Sequence, residues 1–538
     1  MDLSQPECSA GGDRLSKLGD HVLGSILSFL PAKEAASAAL LSSRWRHVFG
    51  AVHTVSLEEP EPPISDDDYG QYQCDSPSCH REHPPDPNAP PSFRSVVSAA
   101  LIARHRRRGV VAPLRALRVA MGSYRGAADA AEVDQWISYA LHQAAPHGLD
   151  LGLRLCHEDL LCCRTCYAIV GSSQFSDDDS SVVSSSDDED LPSSEERPVE
   201  PEPMYTVPRA LFYCAQLRSL SLGFCRLAPP ATVSLPSLVS LLLYNVPDTG
   251  ANVERLIAGC PRLADLTLEA CDEVTALTVL ARLRRLALRC CHKLATVAVD
   301  ASELRAFEYK GAVPDASSFL TTHGGCGRVD YCKVDICGAE ATSEEELINL
   351  MRLLHLFVNA KHLHLESARL GSGLDKDVLH MKIPCFLSLR HLEMRGCLPD
   401  NETGAVGAMS RILEHAPNLE VISLAFHPQE HDSEVYMPRE EKLLDAHHLS
   451  YSPHSVLAAA ATSAMIPCCL RSRVREINLV HYQGGTAQRA LAKFLLCNAP
   501  AVDKLWCEFA EGAMFEQIQL TREIKGWLIN KAVDTHFA

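Results

Sequence analysis

The sequence predicts an α/β protein in which a short helical segment at the N-terminus precedes a long solenoid of repeated strands. Three observations support this fold class. A nine-residue leucine frame recurs after residue 209, an apolar stretch with helical spacing lies near the N-terminus, and two acidic runs interrupt the apolar segments. One repeat cannot bury its own apolar face, so neighbouring repeats should stack, with parallel strands on the concave side and helices or loops outside.

The composition limits the classes of function. The chain has 538 residues, 46% of them hydrophobic, so most of it can fold around a core. A net charge of −18 argues against nucleic-acid or membrane partners, because both favour a basic surface. We see no secretory leader and no apolar run that spans a bilayer. We therefore expect a protein of the cytoplasm and/or nucleus whose 22 cysteines are reduced.

The first ordered segment is predicted to be helical. In "LSKLGDHVLGSILSFLPAKEAASAALLSSRWRHVF", Asp20 can cap a first helix and Pro31 ends it. Its apolar residues fall on one side of that helix: Leu18, Val22, Leu23, Ile26, Leu27 and Leu30. Two shorter helices follow. So short a segment with so much apolar surface is expected to have a partner, since exposed apolar patches usually mark an interface.

Polar runs divide the chain. Residues 1–12 are predicted to be a disordered tail, and residues 53–92 a linker or insert rich in proline and acidic residues. Residues 172–203 are dominated by serine and acids, so we predict a disordered insert there. Several of its serines precede an acid by three residues, a pattern that suits acid-directed kinases, although a passive spacer is the favoured interpretation.

A repeat occupies residues 111–510. Four copies follow L-x-x-L-x-L-x-x-C: "LRSLSLGFC" at Leu217, "LADLTLEAC" at Leu263, "LRRLALRCC" at Leu283 and "LRHLEMRGC" at Leu389. Weaker copies start at residues 114, 238, 304, 419, 474 and 502, and "KHLHLES" keeps the middle of the frame. This is the leucine-rich repeat pattern. We assign residues 511–538 to a C-terminal cap.

The cysteines of the frame need no redox or metal chemistry. They occupy the turn after each strand, where a buried thiol acts as a small, weakly polar group: Cys225, Cys271, Cys291 and Cys397. Two other clusters leave zinc open as a minor alternative. One contains Cys74, Cys79, His80 and His83, and the other contains Cys156, Cys162, Cys163 and Cys166. The sequence predicts no metal, cofactor or catalytic residue, because it contains none of the common catalytic motifs.

Residues 13–50 resemble the F-box motif, in the form typical of plant F-box proteins with leucine-rich repeats. The matching features include Leu18-x-Asp20, Phe29-Leu30-Pro31 and Arg44-Trp45-Arg46. The resemblance implies docking on a Skp-type adaptor, which joins a cullin–RING ubiquitin ligase. Carried over by motif, the adaptor-binding residues are Leu18, Gly19, Ile26, Leu27, Leu30, Leu40, Leu41 and Trp45.

The resemblance implies a non-catalytic substrate-recognition subunit of a Skp–cullin–F-box (SCF) ubiquitin ligase, whose repeats bind a protein substrate not identified by the sequence. The substrate-binding candidates are Tyr244, Arg289, Arg395 and Trp506, since aromatic and arginine side chains commonly anchor interfaces. Alternatives are a scaffold without ubiquitin transfer, an enzyme with a Cys/His site in the inserts, or a small-molecule receptor. The basic run Arg104–Arg108 could be a nuclear import signal, although a solvated face is the commoner explanation.

Overall fold

A computed structural model describes residues 17–38, 45–60, 91–105, 112–156, 204–315, 319–336, 343–370, 383–400, 404–427, 449–452 and 466–538. These residues form two compact units. The first unit contains the described residues up to Asp248, together with Arg255–Leu263. The second contains Thr249–Glu254 and the described residues from Ala264 to Ala538.

The first unit begins with three short helices, α1 (Asp20–Leu27), α2 (Ala32–Ser37) and α3 (Trp45–Val48), and a 3-10 turn at Phe49–Ala51. Five strands and two longer helices follow in the chain: β1 (Thr54–Glu58), α4 (Phe93–His105), β2 (Ala116–Ala120), α5 (Ala127–His142), β3 (Leu149–Arg154), β4 (Leu217–Gly223) and β5 (Ser240–Tyr244). Helix α6 (Gly250–Ala258) is divided between the units: its residues up to Glu254 belong to the second unit, and those from Arg255 belong to the first.

The strands of the first unit form a parallel sheet in the order β1-β2-β3-β4-β5. Their register aligns apolar side chains in buried rows. One row consists of Val55, Leu117, Leu151, Leu220 and Leu241. Alternate residues of a strand point to opposite faces, so the leucine pair of the frame supplies the core while its neighbours form a polar face.

The second unit repeats this arrangement over ten strands. The parallel sheet contains β6 (Asp265–Glu269), β8 (Arg285–Arg289), β10 (Ala306–Gly311), β12 (Tyr331–Ile336), β13 (His362–Arg369), β14 (His391–Cys397), β15 (Val421–His427), β16 (Glu476–Tyr482), β17 (Lys504–Phe509) and β18 (Asp534–Phe537). A smaller parallel sheet contains β7 (Ala276–Val279), β9 (Thr296–Asp300) and β11 (Leu320–His323).

Helices follow several of the later strands. They are α7 (Glu344–His355), α8 (Ala405–Glu414), α9 (Cys468–Ser472), α10 (Thr486–Cys497) and α11 (Met514–Trp527). The repeats with wider spacing therefore contain a helix after the strand. In the shorter repeats the segment between two consecutive main-sheet strands contains a strand of the smaller sheet instead: β7, β9 or β11. The threonine and valine content of "TALTV" and "LATVAVD" favours strands there.

The predicted fold class, a helical N-terminal segment followed by parallel repeat strands, is confirmed. Each copy of the leucine frame recognised in the sequence forms a strand of the main sheets. Strands β1, β3, β12 and β18 of the parallel sheets and the strands of the smaller sheet, β7, β9 and β11, were not predicted. In β3, Gly148 replaces the first leucine of the frame, and in β12 Cys332 replaces the second. The expectation of a linker over 53–92 is wrong for residues 54–58, which form β1, and residues 61–90 lie outside the described part.

The turn after the strand has a recurring backbone conformation. The eighth frame position has a positive φ of 46–55° at five non-glycine residues: Phe224, Asn245, Ala270, Cys290 and His481. In three of these turns the backbone N–H donates to a carbonyl in the last two residues of the neighbouring strand of the sheet, as from Ala270 to Arg289 at 2.9 Å. The left-handed turn thus connects each repeat to its neighbour.

The cysteine at the ninth position closes this turn. Cys225, Cys271 and Cys397 are buried and Cys291 is half-buried. The thiol of Cys271 donates to the carbonyl of Glu269 at 3.5 Å, and that of Cys291 donates to the carbonyl of Arg289 at 3.4 Å. A hydrogen bond with Cys271, together with burial, raises the pKa of Cys291. A neutral thiol in such a turn is a weak nucleophile, in line with the structural role predicted for it.

Candidate protein-interaction surfaces

The N-terminal helices have a small core of their own. It consists of Leu23, Leu27, Ala35, Val48, Phe49 and Val52, with Leu18, Trp45 and Ala100 packed against it. Ala100 belongs to α4, so the three short helices pack on α4 within the first unit. We refer to residues 17–38 and 45–52 as the head.

Close backbone packing connects α1 to the chain that leads into β1. A Cβ atom on Gly24 would lie 2.5 Å from the carbonyl oxygen of Ala51, so only glycine allows this approach. Nearby, the Ser28 hydroxyl donates to the carbonyl of Gly24 at 2.7 Å and accepts from the backbone N–H of His53 at 3.0 Å. These contacts determine which side of α1 faces inward.

Three apolar side chains of the head remain exposed. Ile26 is 42% exposed, Phe29 88% and Leu30 40%. Phe29 and Leu30 lie in the turn that follows α1, where the Phe29 N–H donates to the Ile26 carbonyl at 3.2 Å and the Leu30 N–H donates to the Leu27 carbonyl at 3.1 Å. These bonds keep the three residues together at the end of α1. Apolar side chains in this density at the end of so short a helix form a surface suited to a partner.

The structure separates the predicted adaptor-binding residues into different groups. Ile26, Leu30 and Gly19 are exposed, and Leu18 and Trp45 are half-buried against the head core. Leu27 is only 4% exposed and packs in the head core, so the adaptor contact expected of it stays a prediction. The most exposed apolar residue, Phe29, was missing from the predicted set. Leu40 and Leu41 lie outside the described residues.

A buried arginine fastens α4 to the head. The Arg104 side chain is fully buried, and its Nε donates to the carbonyl of Val52 at 2.8 Å while Nη1 donates to the hydroxyl of Tyr139 at 3.0 Å. Its Nη2 donates to the carbonyl of Ala112. Arg104 is therefore part neither of a solvated face, the interpretation favoured from the sequence, nor of a basic run that an import receptor could bind. Residues 106–108 lie outside the described part.

On the polar face of the first unit, Tyr244 contacts Arg154. The guanidinium carbon of Arg154 lies 4.9 Å from the centre of the Tyr244 ring. The ring also packs on Phe224, at 5.2 Å between centroids. Tyr244 is half-buried, so its position on the polar face agrees with the alternation predicted for its strand.

The polar face of the second unit contains a chain of ion pairs between neighbouring strands. Glu308 of β10 accepts from Arg285 Nη2 at 2.5 Å and from Arg289 Nη2 at 2.7 Å. Arg289 Nη1 also lies 3.4 Å from a carboxylate oxygen of Glu269. Burial would raise the pKa of Glu308, but the two guanidinium groups outweigh it and lower that pKa. Arg289, a substrate-binding candidate, is thus engaged within the sheet.

Further along the same face, His364 lies between two glutamates. Its Nε2 is 3.4 Å from Glu366 and its Nδ1 is 3.4 Å from Glu393. Burial would lower the pKa of His364, but the two carboxylates outweigh it and raise that pKa. The interaction with His364 is in turn the main cause that lowers the pKa of Glu393 to about 2. No sequence pattern distinguishes this group from the other polar residues of the strands.

The two remaining substrate-binding candidates differ in their surroundings. Arg395 is half-buried, and its Nε donates to Glu393 at 2.8 Å on its own strand. Trp506 of β17 is 39% exposed, and its ring stacks on the ring of His536 of β18, with centroids 4.1 Å apart and planes 8° from parallel. The four candidates are spread over the two units, since Tyr244 belongs to the first unit and the others to the second.

The described part of the chain contains neither an assembled metal site nor a membrane-spanning helix. No group of three or more metal-binding side chains is assembled among those residues. Of the two cysteine clusters, Cys156 alone lies in the described part. Cys156 occupies the ninth position of the frame that contains β3, just as Cys225 occupies the ninth position of the frame that contains β4. No helix in the described ranges has the length and apolarity needed to cross a membrane.

Comparison with known proteins adds two family matches. Residues 15–53 match the F-box domain. Residues 199–452 match a leucine-rich-repeat domain described as At1g61320/AtMIF1, LRR domain. Strands β16, β17 and β18 follow the second match in the sequence and continue the same sheet.

Curated relatives are also similar over different lengths. The F-box/LRR-repeat protein At1g48400 of Arabidopsis thaliana is 49% identical over 47 residues, which cover 9% of this chain and 10% of that protein. The F-box/LRR-repeat protein At2g42730 of the same plant is 22% identical over 511 residues, which cover 91% and 90%. The F-box/FBD/LRR-repeat protein At5g56420 is 24% identical over 501 residues, covering 90% and 89%.

Proposed function

We propose that this chain, a plant-type F-box protein with leucine-rich repeats, is the substrate-recognition subunit of an SCF ubiquitin ligase. Proteins of this family generally act in such ligases and are typically non-catalytic adaptors. Here the head would bind a Skp-type adaptor, and the repeats would bind a protein substrate.

The exposed apolar group of Ile26, Phe29 and Leu30 carries the proposal. Between 40% and 88% of these residues remains in contact with water in the chain alone. Burial against an adaptor would release roughly 25 cal/mol per Å² of apolar surface. The Arg104 hydrogen bond to Val52 and the close packing of Gly24 on Ala51 support this role, because they fix the orientation of α1 relative to α4 and β1.

The mechanism is one of proximity. The chain would hold a substrate so that its lysines lie close to the ubiquitin-loaded enzyme carried by the complex, which converts a rare encounter into an intramolecular one. No step requires this chain to form or break a bond. The raised pKa of Cys291 agrees with a structural rather than a catalytic role for that thiol.

The test is co-precipitation of the full chain with a Skp-type adaptor and a cullin. The variant replaces Ile26 and Leu30 by aspartate, and the control replaces Leu280 and Leu387, which are 77% and 61% exposed in the second unit. Wild type and control should recover both partners, and the head variant neither. Equal recovery of the adaptor and cullin by all three proteins, or no recovery by wild type, would overturn the proposal. A partner that binds the repeats but is not degraded in a cullin-dependent way would favour the alternative of a scaffold without ubiquitin transfer.

A further inference from the structure

Trp506 differs from every other large apolar side chain that the structure describes. Among those that are exposed, it alone lies within a strand, whereas the others lie in helices, turns or loops. It belongs to the polar face of the second unit, since Leu505 and Cys507 on either side are buried. An aromatic residue on a face otherwise made of polar residues is a common anchor for a partner.

The Trp506 indole already stacks on one aromatic ring of the chain. The His536 ring covers one side of the indole in a nearly parallel stack, 8° between planes and 4.1 Å between centroids. Yet 39% of Trp506 remains exposed. Asn478 is the residue in register with Trp506 on the other neighbouring strand, β16, and a planar group that contacts the exposed part of the indole would add to the contact made by His536. The planar, delocalised guanidinium of arginine stacks on indole rings and is attracted by their electron-rich faces.

The carboxylates around Trp506 add charge complementarity. Glu508 lies two residues along β17 and therefore on the same face, with a side chain 37% exposed. The row next to Trp506 contains Glu476, Lys504 and Asp534 in register on β16, β17 and β18. This part of the polar face thus carries three carboxylates and one lysine. Glu508 Oε1 lies 3.7 Å from Nδ1 of His481 on β16, and Glu476 accepts from the amide of Asn478 at 3.1 Å. These contacts are longer than those of Glu308 with Arg285 and Arg289, at 2.5 and 2.7 Å, so an arginine of a partner could share the Glu508 carboxylate.

We propose that Trp506 and Glu508 form a pocket for an arginine side chain of a protein partner. The guanidinium would stack on the indole and donate hydrogen bonds to the Glu508 carboxylate. The inference rests on the proposed function, because it names the chemistry of the segment that the repeats would recognise. It assigns to the substrate an exposed segment with at least one arginine, in keeping with the acidic balance of the chain, −18.

The experiment measures binding of a fluorescent probe to the full chain by anisotropy. The probe is a twelve-residue peptide of glycine and serine with three arginines, and its matched control has citrulline, which keeps the shape and removes the charge. Variants are Trp506→Ala, Trp506→Tyr and Glu508→Gln. Controls are Phe515→Ala, which removes an aromatic ring 65% exposed on α11, and Glu303→Gln, which neutralises a carboxylate 46% exposed.

We expect the arginine peptide to bind wild type and the citrulline peptide to bind at least about tenfold more weakly. Trp506→Ala should weaken binding of the arginine peptide about fivefold, and Glu508→Gln should weaken it slightly less. Trp506→Tyr should have the smallest effect on binding, because tyrosine keeps an aromatic face. The two control variants should bind like wild type. Circular dichroism identifies any variant that has lost its fold, and the isosteric Glu508→Gln keeps the test valid if Trp506→Ala unfolds.

Equal binding of both peptides, or wild-type binding by Trp506→Ala and Glu508→Gln, would overturn the inference. The head variant of the adaptor experiment separates this result from the proposed function. If wild type fails to recover the adaptor but binds arginine through Trp506, the ligase assignment fails and the pocket stands. If the adaptor is recovered but the arginine peptide binds the Trp506 variants as tightly as wild type, the arginine pocket is refuted and the ligase assignment stands.

Discussion

The Arg489 guanidinium and the Glu523 carboxylate form two parallel hydrogen bonds, from Nε at 2.9 Å and from Nη2 at 2.8 Å. Arg489 belongs to α10 and is only 4% exposed, whereas Glu523 belongs to α11. The Tyr451 ring covers the guanidinium at 5.1 Å, and its hydroxyl donates to Glu523 at 3.2 Å. This pair holds the last helix against its neighbour, since a bidentate arginine–carboxylate contact fixes orientation as well as distance.

Glu523→Ala should destabilise the end of the second unit. The change leaves a buried guanidinium whose charge Glu523 no longer balances, at a cost of about 3 kcal/mol. Hydrogen exchange of the α10 and α11 amides measures the loss. The control is Glu273→Ala, which removes an exposed ion pair with Lys293 (side chains 53% and 61% exposed) and should cost at most about 0.5 kcal/mol. Equal effects of the two changes would contradict the argument.

Gly24→Ala should loosen the head. Its Cβ would meet the backbone of Ala51, which cannot move as a flexible side chain can, so we expect a loss of about 2 kcal/mol. In Gly407→Ala, also inside a helix, the new Cβ meets nothing within 4 Å, so it should stabilise α8 by about 0.5–1 kcal/mol. Thermal melting and hydrogen exchange of α1 measure both. A head as stable with alanine at 24 as with glycine would refute the packing argument.

The sequence could predict where strands lie more readily than what their side chains contact. The leucine frame located strands such as β4 and β8, because two apolar residues separated by one residue indicate a strand whatever surrounds it. It failed at β12, where Cys332 replaces a leucine. It also could not distinguish Leu27 from Phe29, since both fit the F-box motif and only the packing of α1 on Ala51 decides which of them is buried.

Ion pairs across strands were beyond prediction for a different reason. Glu308 meets Arg285 and Arg289 because β8 and β10 are neighbours in the sheet, although β9 lies between them in the sequence. His364 meets Glu393 only through the register of β13 on β14. Arg104 looked like part of a basic surface run, and its burial depends on carbonyl groups supplied by distant residues.

Ala270→Gly should stabilise the second unit. Ala270 has a φ of 50°, a conformation that costs a non-glycine residue about 1 kcal/mol and that glycine adopts freely. We expect a gain of up to about 1 kcal/mol, reduced by the greater freedom of glycine in the unfolded chain. Ala298→Gly, within strand β9, is the matched control and should destabilise by about 0.5–1 kcal/mol. Urea unfolding compares them, and a loss at position 270 as large as at 298 would contradict the turn argument.

The His364 group predicts an unusual pH dependence. The protonated ring is attracted by Glu366 and Glu393, while Lys333 opposes its charge, and the net result is a raised pKa in the folded state. A group whose pKa is raised on folding stabilises the fold fully below its unfolded pKa, near 6.5. This contribution is lost as the pH rises through the folded pKa. Protection of β13 and β14 amides, corrected for intrinsic exchange, should therefore fall from pH 6 to pH 8.

His364→Gln should flatten that pH dependence, because it removes the titrating ring and keeps a polar side chain of similar reach. The matched control is His355→Gln on α7, a histidine in the same unit that lies outside the sheet. A second window lies at acid pH. The pKa of Glu393 is lowered to about 2, chiefly by His364, so its contribution should disappear as the pH falls from about 4 towards 2. If protection rose from pH 6 to pH 8 in wild type, or fell equally in His364→Gln, the two glutamates would not be stabilising a charged His364.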